Sequence, residues 1–320
     1  MANADQPRLD PQARALIERI AASGAPPLHA LSPGEARRVY KESRAALAPA
    51  PPQVEEIREL PVPGPAGALR ARLYRPRPAE KSLPGVVYFH GGGFVYGDID
   101  THDAVCRGIA QTTPCAVVSV DYRLAPENKF PAAVEDTVAA TGWVAGNAAA
   151  LGIDPGCLIV AGDSAGGNLA AVVALTARDR EAPRLAMQVL VYPVTDLAAE
   201  SESVSRFGEG YLLTRQSMRW VKRSYLRDER DAEDWRASPL RASDFSGLPA
   251  AYVLTAGFDP LHDEGEAYAR RLMRAGVPVT YECLTGQMHG FLVMGGVIAA
   301  AGHAIQRIAQ AIRSLSRRSM

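Results

Sequence analysis

Gly162-Asp163-Ser164-Ala165-Gly166-Gly167 is the stretch of sequence that decides the fold of this chain. The apolar residues 157–161 before it predict a short buried strand, and residues 168–175 after it predict a helix. A serine on a sharp strand-to-helix turn between glycines is typical of a catalytic nucleophile. The glycines fit this interpretation because such a turn strains the serine backbone and leaves no room for a Cβ at the flanking positions.

A second glycine-rich turn lies upstream, where the predicted strand at 84–89 runs into His-Gly-Gly-Gly-Phe at 90–94. Consecutive glycines let backbone amides approach a developing negative charge closely, and this motif after a strand accompanies the serine turn in esterases and lipases. The chain has no G-K-[ST] and no G-x-G-x-x-G motif, which disfavours a phosphate-binding loop. We predict that the amides of Gly91, Gly92 and Ala165 form an oxyanion hole.

An acid and a histidine follow Ser164 in the order that such sites require. The predicted strand at 250–257 leads to Asp259, and the predicted strand at 279–284 leads to His289. Open α/β sheets bind their ligands beyond the carboxyl ends of their strands, where both residues fall. We therefore predict that His289 takes the proton of Ser164 and that Asp259 orients the imidazole.

Other residues compete for these two roles. Asp263 and Asp196 are alternatives for the acid, although Asp263 is better suited to cap the helix that follows it. His262 lies only three residues beyond Asp259, at what looks like a helix start. The remaining histidines either precede the serine or, at His303, lie in a terminal helical pattern.

Eight segments have the apolar pattern of strands: residues 54–60, 69–74, 86–89, 116–120, 157–161, 186–192, 250–257 and 279–284. Helical patterns separate the later segments, which predicts a mainly parallel sheet with helices on both faces. The first two segments follow each other closely, and this spacing predicts an antiparallel edge.

Five motifs together resemble the hormone-sensitive-lipase-like family of α/β-hydrolase esterases (bacterial family IV). They are HGGGF at 90–94, DYRLAPE at 121–127, GDSAGGN at 162–168, DPLHDEG at 259–265 and HGF at 289–291. The aspartate before the serine places the chain with the GDSAG branch. The resemblance implies the same triad and oxyanion residues, and it implies an α/β-hydrolase fold with a mainly parallel eight-stranded sheet and a helical cap.

The resemblance also implies a division of the chain. Residues 1–53 would be N-terminal cap helices, 54–195 the first part of the core, 196–246 a cap insertion and 247–320 the second part of the core. The family's DYRLAPE segment implies a buried polar network of Asp121, Arg123 and Glu127. As substrate-pocket candidates we name Phe94, Asp163, Tyr211, Leu212 and Phe291.

The composition excludes several other functions. The chain has 320 residues with 35 basic and 35 acidic side chains, and no basic stripe predicts a nucleic-acid partner. No apolar run reaches 18 residues, and residues 1–6 lack a signal-peptide pattern, so we expect no membrane association and a cytoplasmic location. The four cysteines have no metal-ligand spacing, and the two His-Asp pairs lack a third ligand, so we expect no metal and no cofactor. Cys157 and Cys283 are expected to be small buried hydrophobes in strands.

The predicted activity is a serine carboxylesterase that acts on short- to medium-chain acyl esters through an acyl-enzyme on Ser164. A related serine hydrolase acting on lactones, amides or carbamates is an alternative, because the same triad attacks any acyl carbonyl. A non-catalytic small-molecule receptor on the same fold is a remote alternative, which the presence of His289 disfavours. An edge position for the strand at 279–284 would favour a homodimer.

Overall fold

The structure is a computed structural model that describes residues 8–78 and 82–316. Its strands are β1 (Glu56–Gly64), β2 (Gly67–Arg75), β3 (Leu83–Phe89), β4 (Ala116–Asp121), β5 (Ile153–Asp163), β6 (Met187–Val191), β7 (Ala250–Phe258) and β8 (Val279–Met288). They form one sheet in the order β1-β2-β4-β3-β5-β6-β7-β8. Strand β2 pairs antiparallel with both β1 and β4, and all other neighbouring strands are parallel, so the sheet is mainly parallel with an antiparallel edge, as predicted.

Helices connect and cover these strands. They are α1 (Pro11–Ala22), α2 (Pro33–Leu47), α3 (Asp103–Thr112), α4 (Ala132–Gly146), α5 (Ala148–Leu151), α6 (Ala165–Asp179), α7 (Glu202–Phe207), α8 (Arg215–Tyr225), α9 (His262–Arg274) and α10 (Ala300–Ser316). Helices α4, α6 and α9 contribute to the apolar core on one face of the sheet, and α3 and α10 contribute to the core on the other.

The central strand β3 shows why the sheet needs both layers. Its residues alternate between the two cores, with Val87 and Phe89 in one and Val86 and Tyr88 in the other. All four side chains are at most 1% exposed. A strand that is apolar on both faces is stable only when helices cover both faces, and the α/β arrangement provides this.

The N-terminal helices and the segment 196–246 meet above the carboxyl ends of the strands. Nδ1 of His29, a residue that precedes α2, lies 3.0 Å from the Ser217 hydroxyl oxygen on α8. Arg37 on α2 donates from Nε to the Val95 carbonyl, 2.8 Å away, in the loop after β3. Within residues 8–78 and 82–316, none of the helices is both long and apolar enough to cross a bilayer.

Two expectations about single side chains were wrong. Asp263 does not cap α9, since the N-cap position is Leu261 and the Asp263 carboxylate accepts a 2.7 Å hydrogen bond from the Ser203 amide. Cys157 and Cys283 lie in strands as expected but are only half-buried, because Cys283 belongs to the edge strand β8 and Cys157 directly follows three exposed residues of β5.

Candidate active site

Ser164, His289 and Asp259 form a continuous hydrogen-bonded chain. The Ser164 Oγ lies 2.9 Å from His289 Nε2, and His289 Nδ1 lies 2.8 Å from Asp259 Oδ2. Asp259 is fully buried, whereas Ser164 and His289 each keep 9% of their surface exposed. The three residues predicted from chain order therefore meet, with the carboxylate at the dry end and the hydroxyl at the accessible end.

The turn between β5 and α6 holds Ser164 in a strained conformation. Its φ of 55° and ψ of −118° lie where non-glycine residues are rare, and a 2.9 Å hydrogen bond from its amide to the Val191 carbonyl fixes it there. A Cβ on Gly162 or Gly166 would overlap backbone atoms of the facing elements, those of Gly166 and Phe89. Glycine at these positions thus lets the turn close and lift the serine hydroxyl above the sheet.

The acid and the base are held by separate contacts. Asp259 Oδ1 accepts a 2.8 Å hydrogen bond from the Leu261 amide, which leaves Oδ2 for His289. The His289 ring packs against Tyr192, with 4.7 Å between ring centroids. The competing acid Asp196 instead pairs with Arg241 at 2.9 Å. When His289 Nδ1–H donates to Asp259 Oδ2, Nε2 is the ring nitrogen that faces the Ser164 hydroxyl and can accept its proton.

The glycine turn after β3 differs from the prediction in one amide. The Gly91 amide donates to Asp163 Oδ1 at 3.0 Å and is therefore already engaged. In the described parts of the chain, the amides of Gly92, Gly93 and Ala165 have no acceptor. Gly92 has a φ of 126°, and a Cβ there would overlap the Tyr96 carbonyl, so this turn needs glycine.

Asp163 supports the glycine turn from below and is not a pocket residue. It is 3% exposed, and its Oδ1 also accepts from the Tyr88 hydroxyl at 2.7 Å and lies 3.2 Å from His102 Nε2. Burial raises the pKa of Asp163, but His102 and the hydrogen bonds outweigh it and leave the pKa below its usual value. This carboxylate links the turn that carries Ser164 to the first amide of the glycine turn.

Two other pocket candidates are also core residues. Phe94 and Phe291 are fully buried. The Phe94 ring stacks on Tyr225 of α8 at 3.8 Å, and the Phe291 ring meets Tyr192 edge-on at 5.6 Å. Neither side chain has free surface for a substrate, because both are packed against other rings. Large aromatic side chains often stabilise the walls of a cleft in this way.

Tyr211 and Leu212 are the pocket candidates that keep free surface. Tyr211 is one of the residues that line an open cavity of about 500 Å³, together with Phe258 and Ile17 of α1. Leu212 faces the turn after His289, since its Cδ2 lies 3.8 Å from the position of a Cβ on Gly290. Both residues lie in the segment 196–246, which reaches the catalytic loops at this point.

The network expected for the DYRLAPE segment is absent among the described residues, because its members have separate partners. Arg123 binds the fully buried Asp136 of α4 at 2.8 Å. Glu127 is exposed and pairs with Arg37 at 2.5 Å. Asp121 lies 3.9 Å from His90 Nε2, and burial raises its pKa to about 6. Asp136 and His102 were missed by sequence analysis, because each lies inside a helical pattern that predicts no partner.

Comparisons with known proteins match most of the chain to α/β hydrolases and ester hydrolases. A family model described as the alpha/beta hydrolase fold matches residues 86–293. "Ethyl acetate hydrolase" of Pseudomonas putida is 42% identical over 293 residues, which are 90% of this chain and 92% of that protein. "Carboxylic ester hydrolase LipN" of Mycobacterium tuberculosis is 45% identical over 274 residues, which are 83% and 73% of the two chains.

Solved structures extend the likeness to the whole fold. An α/β hydrolase enzyme from the metagenome of Lake Arreo superposes with a TM-score of 0.94 at 41% identity, over 98% of this chain and 100% of that one. The hyperthermophilic esterase of Pyrobaculum calidifontis gives a TM-score of 0.90 at 42% identity, over 97% and 99%. The chain therefore belongs to the hormone-sensitive-lipase-like family of α/β hydrolases and is a carboxylesterase.

Proposed function

We propose that the chain hydrolyses short- to medium-chain acyl esters through an acyl-enzyme on Ser164. The hydrogen-bonded chain from Ser164 through His289 to Asp259 is the observation that carries this proposal. His289 Nε2 removes the hydroxyl proton as Ser164 Oγ attacks the ester carbonyl, and the resulting imidazolium returns a proton to the leaving alkoxide. Water then attacks the acyl-enzyme by the same route and releases the acid.

The proposed oxyanion hole consists of the amides of Gly92, Gly93 and Ala165. This assignment keeps Gly92 and Ala165 from the sequence-based prediction. It replaces Gly91 with Gly93, because the Gly91 amide donates to Asp163. Each free amide would stabilise the tetrahedral oxyanion by about 3 kcal/mol. In this account Asp163 is a positioning residue, because it fixes the Gly91 peptide from which the other two glycine amides follow.

The segment 196–246 and residues up to 53 are proposed to form a cap over this centre. The contacts of His29 with Ser217 and of Leu212 near Gly290 support this division. Such a cap would exclude water and limit the length of the acyl chain. The edge position of β8 supports a homodimer as a further proposal, and the cytoplasmic location also stays a prediction.

The experiment is hydrolysis of p-nitrophenyl esters from acetate to palmitate by the wild type and by Ser164→Ala. We expect the highest kcat/KM at short to medium chains and a loss of about 10⁴-fold or more in the variant. Equal turnover by the two proteins would refute Ser164 as the nucleophile. Turnover of lactones or amides but not of these esters would select the alternative substrate classes.

A further inference from the structure

Arg44 of α2 is a buried cation without a counter-ion. Its side chain and backbone together are only 7% exposed, and its Nε is inaccessible to solvent. Within residues 8–78 and 82–316 its guanidinium has neither a salt bridge nor a hydrogen bond. Arginine is almost never buried unless it is paired, because its charge is strongly stabilised by water. An unpaired guanidinium at this depth therefore points to a ligand.

Two tyrosines surround this group. The Arg44 Cζ lies 4.8 Å from the ring centroid of Tyr40, and the Tyr40 ring lies 4.6 Å from that of Tyr96. In the described ranges, neither phenol hydroxyl has a hydrogen-bond partner. We call Arg44, Tyr40 and Tyr96 the Arg44 cluster. It offers a guanidinium and two hydroxyl groups, which are all donors toward an anion.

The carboxylates nearest to the cluster along α2 are already paired. Lys41 binds Asp98 and Asp100, each at 2.7 Å. Glu42 binds the exposed Arg38 at 2.9 Å on the outer side of the helix. Among the described residues, no carboxylate oxygen lies within ion-pair distance of the Arg44 guanidinium.

The course of α2 places the cluster beside the catalytic centre. On one side, Tyr96 is held by a 3.0 Å hydrogen bond from its amide to the carbonyl of Gly92 in the proposed oxyanion hole. On the other side, the Leu47 carbonyl at the end of α2 accepts a 2.9 Å hydrogen bond from Gly296, in the chain that follows His289. Because Tyr40 contacts Tyr96 and Leu47 binds Gly296, the part of α2 that carries Arg44 is attached at both ends to the two loops that flank Ser164.

We propose that the Arg44 cluster is an anion subsite that binds a carboxylate carried by the ester substrate. The planar guanidinium can hold a carboxylate through two parallel hydrogen bonds, and the phenol hydroxyls can add further donors. The preferred substrates are then monoesters of dicarboxylic acids, with the free carboxylate at Arg44 and the ester carbonyl at Ser164. This inference rests on the proposed function, because it assigns a substrate class to the same site.

The test compares two esters of equal length. Mono-p-nitrophenyl glutarate carries a carboxylate where p-nitrophenyl valerate carries a methyl group. We expect Arg44→Met to lower the ratio of kcat/KM for glutarate to that for valerate by about 10- to 100-fold. Arg38 lies on the same helix, and its side chain is 64% exposed. The variant Arg38→Met is therefore the matched control and should leave the ratio unchanged.

A milder variant guards against misfolding. Tyr96→Phe keeps the ring stack and removes one donor, so it should lower the same ratio by about three- to tenfold. An unchanged ratio in a folded Arg44→Met protein would overturn the anion subsite. Binding of the glutarate monoester to Ser164→Ala, measured by calorimetry with and without Arg44→Met, separates the two proposals. Binding that depends on Arg44 supports the subsite even if no ester is hydrolysed, and binding that does not depend on Arg44 overturns it.

Discussion

The sheet and the segment 196–246 bury charge in opposite ways. Near the sheet, the fully buried Asp136 is held by Arg123 through hydrogen bonds to both carboxylate oxygens, at 2.8 Å and 3.0 Å. In the segment 196–246, Asp231 is paired with Arg227 at 2.6 Å, but the Arg227 side chain is 58% exposed. The buried carboxylate near the sheet thus pairs with a largely buried arginine in a dry layer, whereas the one in the outer segment pairs with an arginine that water already stabilises.

This difference suits the two regions to different roles: the layer near the sheet holds the proposed catalytic residues, and the segment 196–246 contributes candidate substrate contacts. The triad and Asp163 belong to this dry layer, where hydrogen bonds to one another and to the Gly91 amide hold their side chains. The outer segment contributes Tyr211 and Leu212, which keep free surface. We therefore expect substitutions in the dry layer to have large effects on stability or kcat, and substitutions in the outer segment to have small ones.

The largest difference is expected between Asp136→Ala and Asp231→Ala. Loss of Asp136 leaves Arg123 with only Glu135, 3.7 Å away, and the Ala132 carbonyl as partners, so the free energy of unfolding should fall by about 3 kcal/mol. Loss of Asp231 should cost less than about 1 kcal/mol, because its partner is already in water. Denaturant unfolding of both variants measures the two free energies. Equal decreases would contradict the difference between the two regions.

A smaller effect is expected from Asp163→Asn, which tests the link between the nucleophile turn and the glycine turn. Loss of the carboxylate weakens the bond from the Gly91 amide, so kcat should fall by about 10- to 100-fold while KM changes by less than about threefold. Tyr88→Phe removes only one of the hydrogen bonds to Asp163 and should lower kcat less. A rise in KM at constant kcat would instead place Asp163 in the substrate pocket.

The smallest expected effect is a pH dependence of the free energy of unfolding, caused by Glu264 where the two regions join. Glu264 of α9 is 4% exposed and accepts hydrogen bonds from the amides of Thr195 and Asp196, at 2.6 Å and 3.2 Å. Burial raises the pKa of Glu264 to about 8, so the folded state keeps a proton that the unfolded state releases above its usual value near 4.5. Rising pH therefore favours unfolding.

Glu264→Gln, which cannot ionise, is the matched variant for this prediction. Between pH 6 and pH 8 the wild type should lose about 1–2 kcal/mol more of its free energy of unfolding than the variant. Denaturant unfolding at the two pH values measures the difference. Identical losses would mean that the two amides already hold Glu264 ionised in the folded state.

The sequence predicted the fold and the triad because both depend on local patterns. The eight apolar segments are long enough to be strands, and the order of Ser164, Asp259 and His289 at strand ends predicts where they meet. The engagement of the Gly91 amide could not be predicted, because it depends on a side chain 72 positions later. The burial of Phe94 depends in the same way on a distant ring, that of Tyr225.

Covalent trapping is the most direct test of Ser164 as the activated nucleophile. The protein is incubated with a p-nitrophenyl alkylphosphonate, which phosphonylates an activated serine, and the intact mass and the peptide masses are then measured. If Ser164 is the nucleophile, we expect one adduct per chain, located on Ser164, with a proportional loss of esterase activity and no labelling of Ser164→Ala or His289→Ala. An adduct on another residue, or full labelling of Ser164→Ala, would contradict it.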